Sequence, residues 1–446
     1  MTHSQRMFHA VMAQGVHELA QRAGAKGCWR LPVQLQGQPI YAIGSPELLS
    51  YLLRQRQGDN PLCDNSSPAN GMLRRAMGEG VFTTNDPECW RTAHELWAPF
   101  FRRSQVADIA AHTTLDWWQG QQPDLIQGRT VALVPRFIQL SVRVLSRVVL
   151  GELPAAQASQ VPALTEAVFS NMALNLVRLA LPDWLPGGRR YQEAIGRLDQ
   201  LVYQIIQGRR DQPTTTDNLL STLIASGKMG DQQIRDQLFT AFLAGFDSMA
   251  VTLGWAAEFL ARDWPLQQAL QAELASGWGQ LLSREHRHHS LLSRVVTETL
   301  RLRPSFPVFF GGAARDIELP DHLPAELRAA TPVIPQGAQL LFVPLAAQTS
   351  SKVWGDRASE FDPGRWDAAS GTAAQRSVMR QAFLPFGLGE RRCLGEHLAL
   401  TVVPQALGLL VERFDLLPVR QKLPPGSYSM TLSPAGGATV RLASRP

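Results

Sequence analysis

The residues best suited to chemistry lie near the C-terminus, in FLPFGLGERRCLGEHLAL (383–400), where a lone cysteine, Cys393, stands among glycines and arginines. An isolated cysteine is ordinarily a small buried hydrophobe, and Cys28, Cys63 and Cys89 are read that way. Cys393 has different surroundings. Gly387, Gly389 and Gly395 permit tight turns and the close approach of a bulky ligand, and GEHLALTVVPQALGLLVERF begins a helix directly after the sulfur. A helix N-terminus and the neighbouring Arg391 and Arg392 both favour thiolate, the form a metal ligand requires. No second Cys or His stands nearby in sequence to complete a tetrahedral zinc site. One thiolate therefore points to a metal already held by something else, such as a porphyrin.

Other sets of residues carry possible chemistry. VVTETLRLRP puts Glu298 and Arg301 three apart, on one helical face, a spacing that an ordinary surface ion pair also explains; further along, FDPGRW adds Arg365. LAGFDSMAVTLGW places Asp247 and Ser248 side by side after the small pair Ala244–Gly245. An acid and an alcohol are poor mid-helix residues unless they have another use. CWRTAHELWAPFF sets Trp90 and His94 four apart, and EHRHHS gathers His286, His288 and His289. The histidine run lacks carboxylates at ligand spacing and is read as a solvated loop.

The run Phe386-x-x-Gly389-x-Arg391-x-Cys393-x-Gly395 matches the haem-binding signature of the cytochrome P450 family at every fixed position. From the chain's own residue usage, a chance match is on the order of one in ten thousand. The chain resembles a bacterial soluble member of that family from near Arg30 to its end. The resemblance implies haem b, with Cys393 as axial iron ligand, Phe386 packed beside it, Gly387 and Gly395 shaping the loop, and Arg391 reaching a haem propionate. It implies a buried triad of Glu298, Arg301 and Arg365 bracing that loop. Ala244 to Ser248 resemble the oxygen-activation motif: Gly245 would leave room for dioxygen and a water, Ser248 would hydrogen-bond the oxygen, and Asp247 would help deliver protons. Serine replaces the usual threonine, keeping the hydroxyl without the β-methyl that fixes its rotamer.

Trp90 and His94 stand for the family's propionate-binding helix, where Trp and Arg are usual. In FFGGAARDIEL another propionate arginine is replaced by Gly311, so one anchor is lost or relocated. By the same resemblance, segments 60–89, 165–185, 305–311 and 428–433 line a pocket through Phe82, Phe169, Met172, Phe306, Val308, Phe309, Phe310 and Met430. Those side chains suit a lipophilic small molecule of modest size, although such residues are also ordinary core. The implied reaction inserts one oxygen atom from dioxygen into a C–H bond, by hydroxylation or epoxidation, in secondary metabolism. A separate ferredoxin and ferredoxin reductase would supply electrons. Desaturation, cyclisation or oxidative coupling would use the same haem motifs. A non-enzymatic haem sensor would not need the Asp247–Ser248 pair.

The elements that must position these residues are mostly helical. PELLSYLLRQ, WRTAHELWAPFF, RFIQLSVRVLSRVVL, DNLLSTLIAS and the long QQIRDQLFTAFLAGFDSMAVTLGWAAEFLARD all carry apolar residues at helical spacing. Asp217 is the expected N-cap of NLLSTLIAS and Gly227 its stop. Strand-like pieces are short: QPIYAIG, PVFFGG, QLLFVPLA, SYSMTLSP and GATVRL. The expectation is a mostly α fold with small β-sheets, one large domain over residues 1–446, with no linker or repeat to divide it. At 45% hydrophobic and 18% charged over 446 residues the chain is globular, not disordered. Net charge is +5, carried by arginine with only Lys26, Lys228, Lys352 and Lys422 besides, and basic runs interleaved with aromatics are absent, which argues against nucleic acid. MTHSQRMFHAVMAQGVHELAQRAG is too polar for a signal peptide or membrane span. No strand-GxGxxG-helix unit marks a fused reductase. A cytoplasmic monomer with reduced thiols is expected.

Overall fold

The structure is a computed structural model that describes residues 15–56, 61–121, 129–169, 188–213, 217–277, 290–367, 369–428 and 430–445. Met172, His286, His288 and His289 lie outside the described residues. Helices predominate and the sheets are small, as the periodicity predicts. The local reasons are legible in the termini. Helix Pro46–Arg54 begins where Ser45 Oγ accepts the Leu48 N–H at 3.2 Å, with proline in its first turn, and it buries Leu48, Leu49, Leu52 and Leu53. Helix Leu219–Ser226 starts one residue later than expected. Its cap is Asn218, whose Oδ1 accepts the Ser221 N–H at 2.9 Å, because Asp217 is engaged by Arg103 at 2.5 Å. Gly227, at φ 63°, ends it.

The described residues fall into two compact units, each assembled from segments distant in sequence. One takes the chain up to Gly71, Thr297–Cys393 and Gly426–Leu432; the other takes the segments between Met72 and Val296, Leu394–Pro425 and the chain from Ser433. In the first unit a five-stranded sheet runs in the order Cys28–Leu35, Gln38–Ile43, Gln339–Phe342, Phe309–Ala313, Cys63–Asp64. Only the pairing of Gln38–Ile43 with Gln339–Phe342 is parallel. Leu48, Leu52, Leu340 and Phe342 belong to the apolar cluster of this unit. The edge strand Cys28–Leu35 is not apparent from sequence, since Pro32 interrupts it and its register shifts between Arg30 and Gln34.

The second unit is helical, with a three-stranded sheet of Thr130–Ala132, Thr439–Ser444 and Phe414–Pro418. The single long helix expected between Gln232 and Asp263 is instead two, Asp231–Gly245 and Ser248–Leu260. They part at Phe246–Asp247, where Asp247 sits at φ −120°, ψ −13°. The Ser248 hydroxyl donates to the Ala244 carbonyl at 2.9 Å, competing for an acceptor that the helical ladder would use.

Candidate functional site

In the first unit the segment before Cys393 turns on two glycines of positive φ, Gly387 at 71° and Gly389 at 75°. Gly389 has a second reason: a Cβ there would stand 2.4 Å from the Leu53 carbonyl oxygen, so the loop presses on the end of helix Pro46–Arg54. A Cβ at Gly387 would meet nothing within 4 Å. Gly395 has φ −85°, open to any residue, and serves as N-cap of helix Glu396–Arg413. The Cys393 N–H donates to the Phe386 carbonyl at 2.8 Å and closes the turn.

Of the four thiols only that of Cys393 is exposed. Burial pushes Cys28 up to about 11 and Cys63 up to about 12, as their reading as apolar core requires. Arg391 is pushed down to about 9, first by burial and then by the Arg56 guanidinium, with Asp64 opposing. Since an arginine keeps its proton, that shift reflects how costly its charge is there, a cost that an anionic partner offsets. One accessible sulfur donor, an open glycine face and a guanidinium whose charge is costly to bury fit a haem with its propionates.

Glu298 and Arg301, on helix Leu291–Leu302, are fully buried and do not form a surface pair. Arg301 donates Nε and Nη2 to the two Glu298 oxygens at 2.8 and 2.7 Å. Arg365 Nε donates to the same carboxylate at 3.3 Å, Trp366 Nε1 at 2.8 Å and the Asp362 N–H at 3.0 Å. Sequence reasoning missed the next link. Gln348, also fully buried, accepts from Arg301 Nη1 on its carbonyl at 2.9 Å. Its amide donates to the Leu300 and Arg301 carbonyls at 2.9 and 2.8 Å, and its Oε1 accepts the Leu384 N–H at 2.9 Å. Leu384 lies two residues before Phe386, so Gln348 ties the ion cluster to the root of the cysteine loop. A lone glutamine in AAQTSS carries no pattern that would reveal this.

In the second unit, every residue from Ile234 to Leu260 is buried except Ala244, Gly245, Asp247 and Ser248. The acid–alcohol motif is thus the accessible window of an otherwise enclosed element. Gly245 has a packing reason: a Cβ there would stand 2.8 Å from Leu145 Cδ2 and 2.9 Å from Cδ1, so the glycine lets Leu145 pack against the helix. The same element clamps the chain ahead of Phe82. Glu79 N–H donates to Asp236 at 2.8 Å, Val81 N–H to Gln237 at 3.0 Å, and Arg235 Nη1 to the Met77 carbonyl at 2.9 Å.

Trp90 and His94 stack with ring centroids 4.6 Å apart, Trp90 buried and His94 half-buried. The expected pocket residues are scattered in burial. Phe82 is 44% exposed, Phe306, Phe309, Phe310 and Met430 are half-buried, and Val308 is buried in the first unit's core. Phe169 is buried against Phe239 and Phe246.

Comparison with known proteins now bears on this arrangement, since a family model for cytochrome P450 matches residues 6–440. The chain belongs to the cytochrome P450 family. It is similar to pentalenene oxygenase of Streptomyces avermitilis, 28% identical over 385 residues that cover 81% of this chain and 79% of the relative. Cyclooctatin synthase of Streptomyces melanosporofaciens is 25% identical over 405 residues, 87% of this chain and 83% of its own. The mitochondrial 25-hydroxyvitamin D-1 alpha hydroxylase of Mus musculus is 27% identical, covering 86% and 78%. This cytochrome P450 is therefore a haem-thiolate monooxygenase with haem b as cofactor.

Proposed function

We propose that this cytochrome P450 inserts one oxygen atom into a C–H bond of a lipophilic small molecule of secondary metabolism, by hydroxylation or epoxidation. The observation that carries the reading is the accessible window at Ala244, Gly245, Asp247 and Ser248 in a helix pair buried everywhere else from Ile234 to Leu260. Relatives named for pentalenene and cyclooctatin support the substrate class. Haem b, when bound, supplies the redox centre at which dioxygen takes up two electrons and two protons, one oxygen atom going to substrate and the other to water. Cys393 would hold the iron through its thiolate, with Phe386 and Gly387 shaping the loop around it. Arg391 would hold a propionate, and Trp90 and His94 would bind propionates as well. Glu298, Arg301 and Arg365 keep the loop in place. Asp247 and Ser248 carry protons inward: the half-buried serine hydroxyl, now donating to Ala244, keeps lone pairs with which to accept a proton before passing one on. Phe82, Phe169, Phe306, Val308, Phe309 and Met430 are the apolar side chains proposed for substrate contact, with Met172, which lies outside the described residues, proposed on sequence alone.

The protein works in the cytoplasm as a monomer, one haem-binding domain over residues 1–446, taking electrons from a separate ferredoxin and its reductase. The unbroken family match over 6–440 supports the single domain. The described stretch long and apolar enough to cross a membrane, Asp231–Leu260, is buried along most of its length, which supports a core role for it. Turnover with a ferredoxin system under labelled dioxygen tests the reaction: a product carrying one labelled oxygen is expected. An unlabelled product lacking two hydrogens would assign desaturation instead, and reductant-dependent consumption of no candidate substrate would leave a sensor.

A further inference from the structure

Gly311 stands where a propionate-binding arginine is expected, and the packing shows why no longer side chain serves there. A Cβ at 311 would lie 2.8 Å from the Phe342 ring and 3.1 Å from the Asp64 carbonyl oxygen. Phe342 is held in that place by stacking on Phe309, with centroids 5.2 Å apart and planes at 29°. Position 309 shares its strand face with 311. Over these two rings lies the guanidinium of Arg56, its carbon 5.5 Å from the Phe342 centroid and 5.9 Å from that of Phe309.

Arg56 donates Nη2 to Asn65 Oδ1 at 2.5 Å, while its Nε is enclosed with no hydrogen-bond partner among the described residues. An enclosed donor of this kind is costly unless a ligand supplies the acceptor. Burial lowers the pKa of Arg56, opposed in part by Cys63 and Asp64. Arg391 lies near enough for the two guanidiniums to repel, and both feel the carboxylate of Asp64. Like charges at Arg56 and Arg391 repel, and an anion beside them would relieve that repulsion.

We propose that Arg56 takes over the anchor lost at Gly311 and, beside Arg391, binds a haem propionate. The inference rests on the haem-thiolate reading above. The two phenyl faces and Asn65 hold the guanidinium fork in one orientation, which suits a carboxylate and favours Arg over Lys.

The test follows haem transfer from the purified ferric holoprotein to excess apomyoglobin, for wild type, Arg56→Met and Arg56→Lys. It is run with haem b and again after reconstitution with haem dimethyl ester, whose propionates carry no charge. With haem b, Arg56→Met should lose haem about tenfold faster, which corresponds to about 1.4 kcal/mol, and Arg56→Lys by less. With the ester the variants and wild type should converge. Equal rates with haem b overturn the proposal, as does an acceleration that survives esterification, which would make Arg56 a packing residue. If Arg56→Met yields no holoprotein, Arg56→Lys against the two haems decides by the same criteria. Failure of the underlying reading is seen separately, as a wild-type carbon monoxide complex without the red-shifted thiolate band.

Discussion

The Ser248 hydroxyl donates its proton to Ala244 across the helix break, so a role in proton delivery requires it to exchange that partner for another. A threonine's β-methyl would hold the hydroxyl in fewer rotamers; serine spreads over all three staggered positions and so spends less of its time in a productive one. Ser248→Ala should therefore keep haem content and substrate affinity while product per NAD(P)H falls several-fold and peroxide rises. Ser248→Thr should match or exceed wild-type coupling. Equal coupling in wild type and Ser248→Ala would make the serine a bystander and pass the role to Asp247. At this scale the sequence reveals residue types better than their reasons. Cys393 and the acid–alcohol pair are legible because a glycine turn and an apolar helix make them anomalous. The packing of Leu145 against Gly245 is not, since residues a hundred positions apart meet only in the fold.

Among elements, the brace beneath the cysteine loop depends on one carboxylate. Glu298 accepts from Arg301 twice, Trp366 and the Asp362 N–H at 3.0 Å or less, and from Arg365 at 3.3 Å. Glu298→Ala would strand the buried Arg301, and Arg301→Ala the buried Glu298, so each should cost about 3–5 kcal/mol and give little haem-loaded protein. Arg365→Ala leaves the carboxylate its other donors and should cost less, about 1–3 kcal/mol. Urea midpoints and haem yield check the ranking; three equal losses would contradict it. The Glu-x-x-Arg spacing and the downstream arginine are readable in sequence because they repeat a helical period and a fixed order. Trp366 and Gln348 are not, since neither has a spacing that distinguishes it from core. Helix type was similarly readable and helix continuity was not: apolar periodicity runs through Phe246–Asp247, while the break depends on a hydroxyl finding a carbonyl.

At the scale of the whole molecule, stability should respond to acid through His17. Burial, and then the Arg303 charge, push His17 down to about 4 from an ordinary 6.5. The folded chain thus keeps His17 neutral where the unfolded chain takes up a proton, so stability is unaffected above about pH 6.5 and falls as pH drops from there to about 4. His17→Gln should lose less of its urea midpoint than wild type between about pH 7 and about pH 5. Identical losses would place His17 in solvent. All such effects are secondary to the claim that one cysteine makes this chain a haem-thiolate enzyme, and one spectrum tests that claim. In the reduced carbon monoxide complex, wild type should show the red-shifted Soret band of thiolate ligation, and Cys393→His should bind haem without it. A Cys393→His protein that keeps the red-shifted band would show that the iron takes its thiolate from elsewhere.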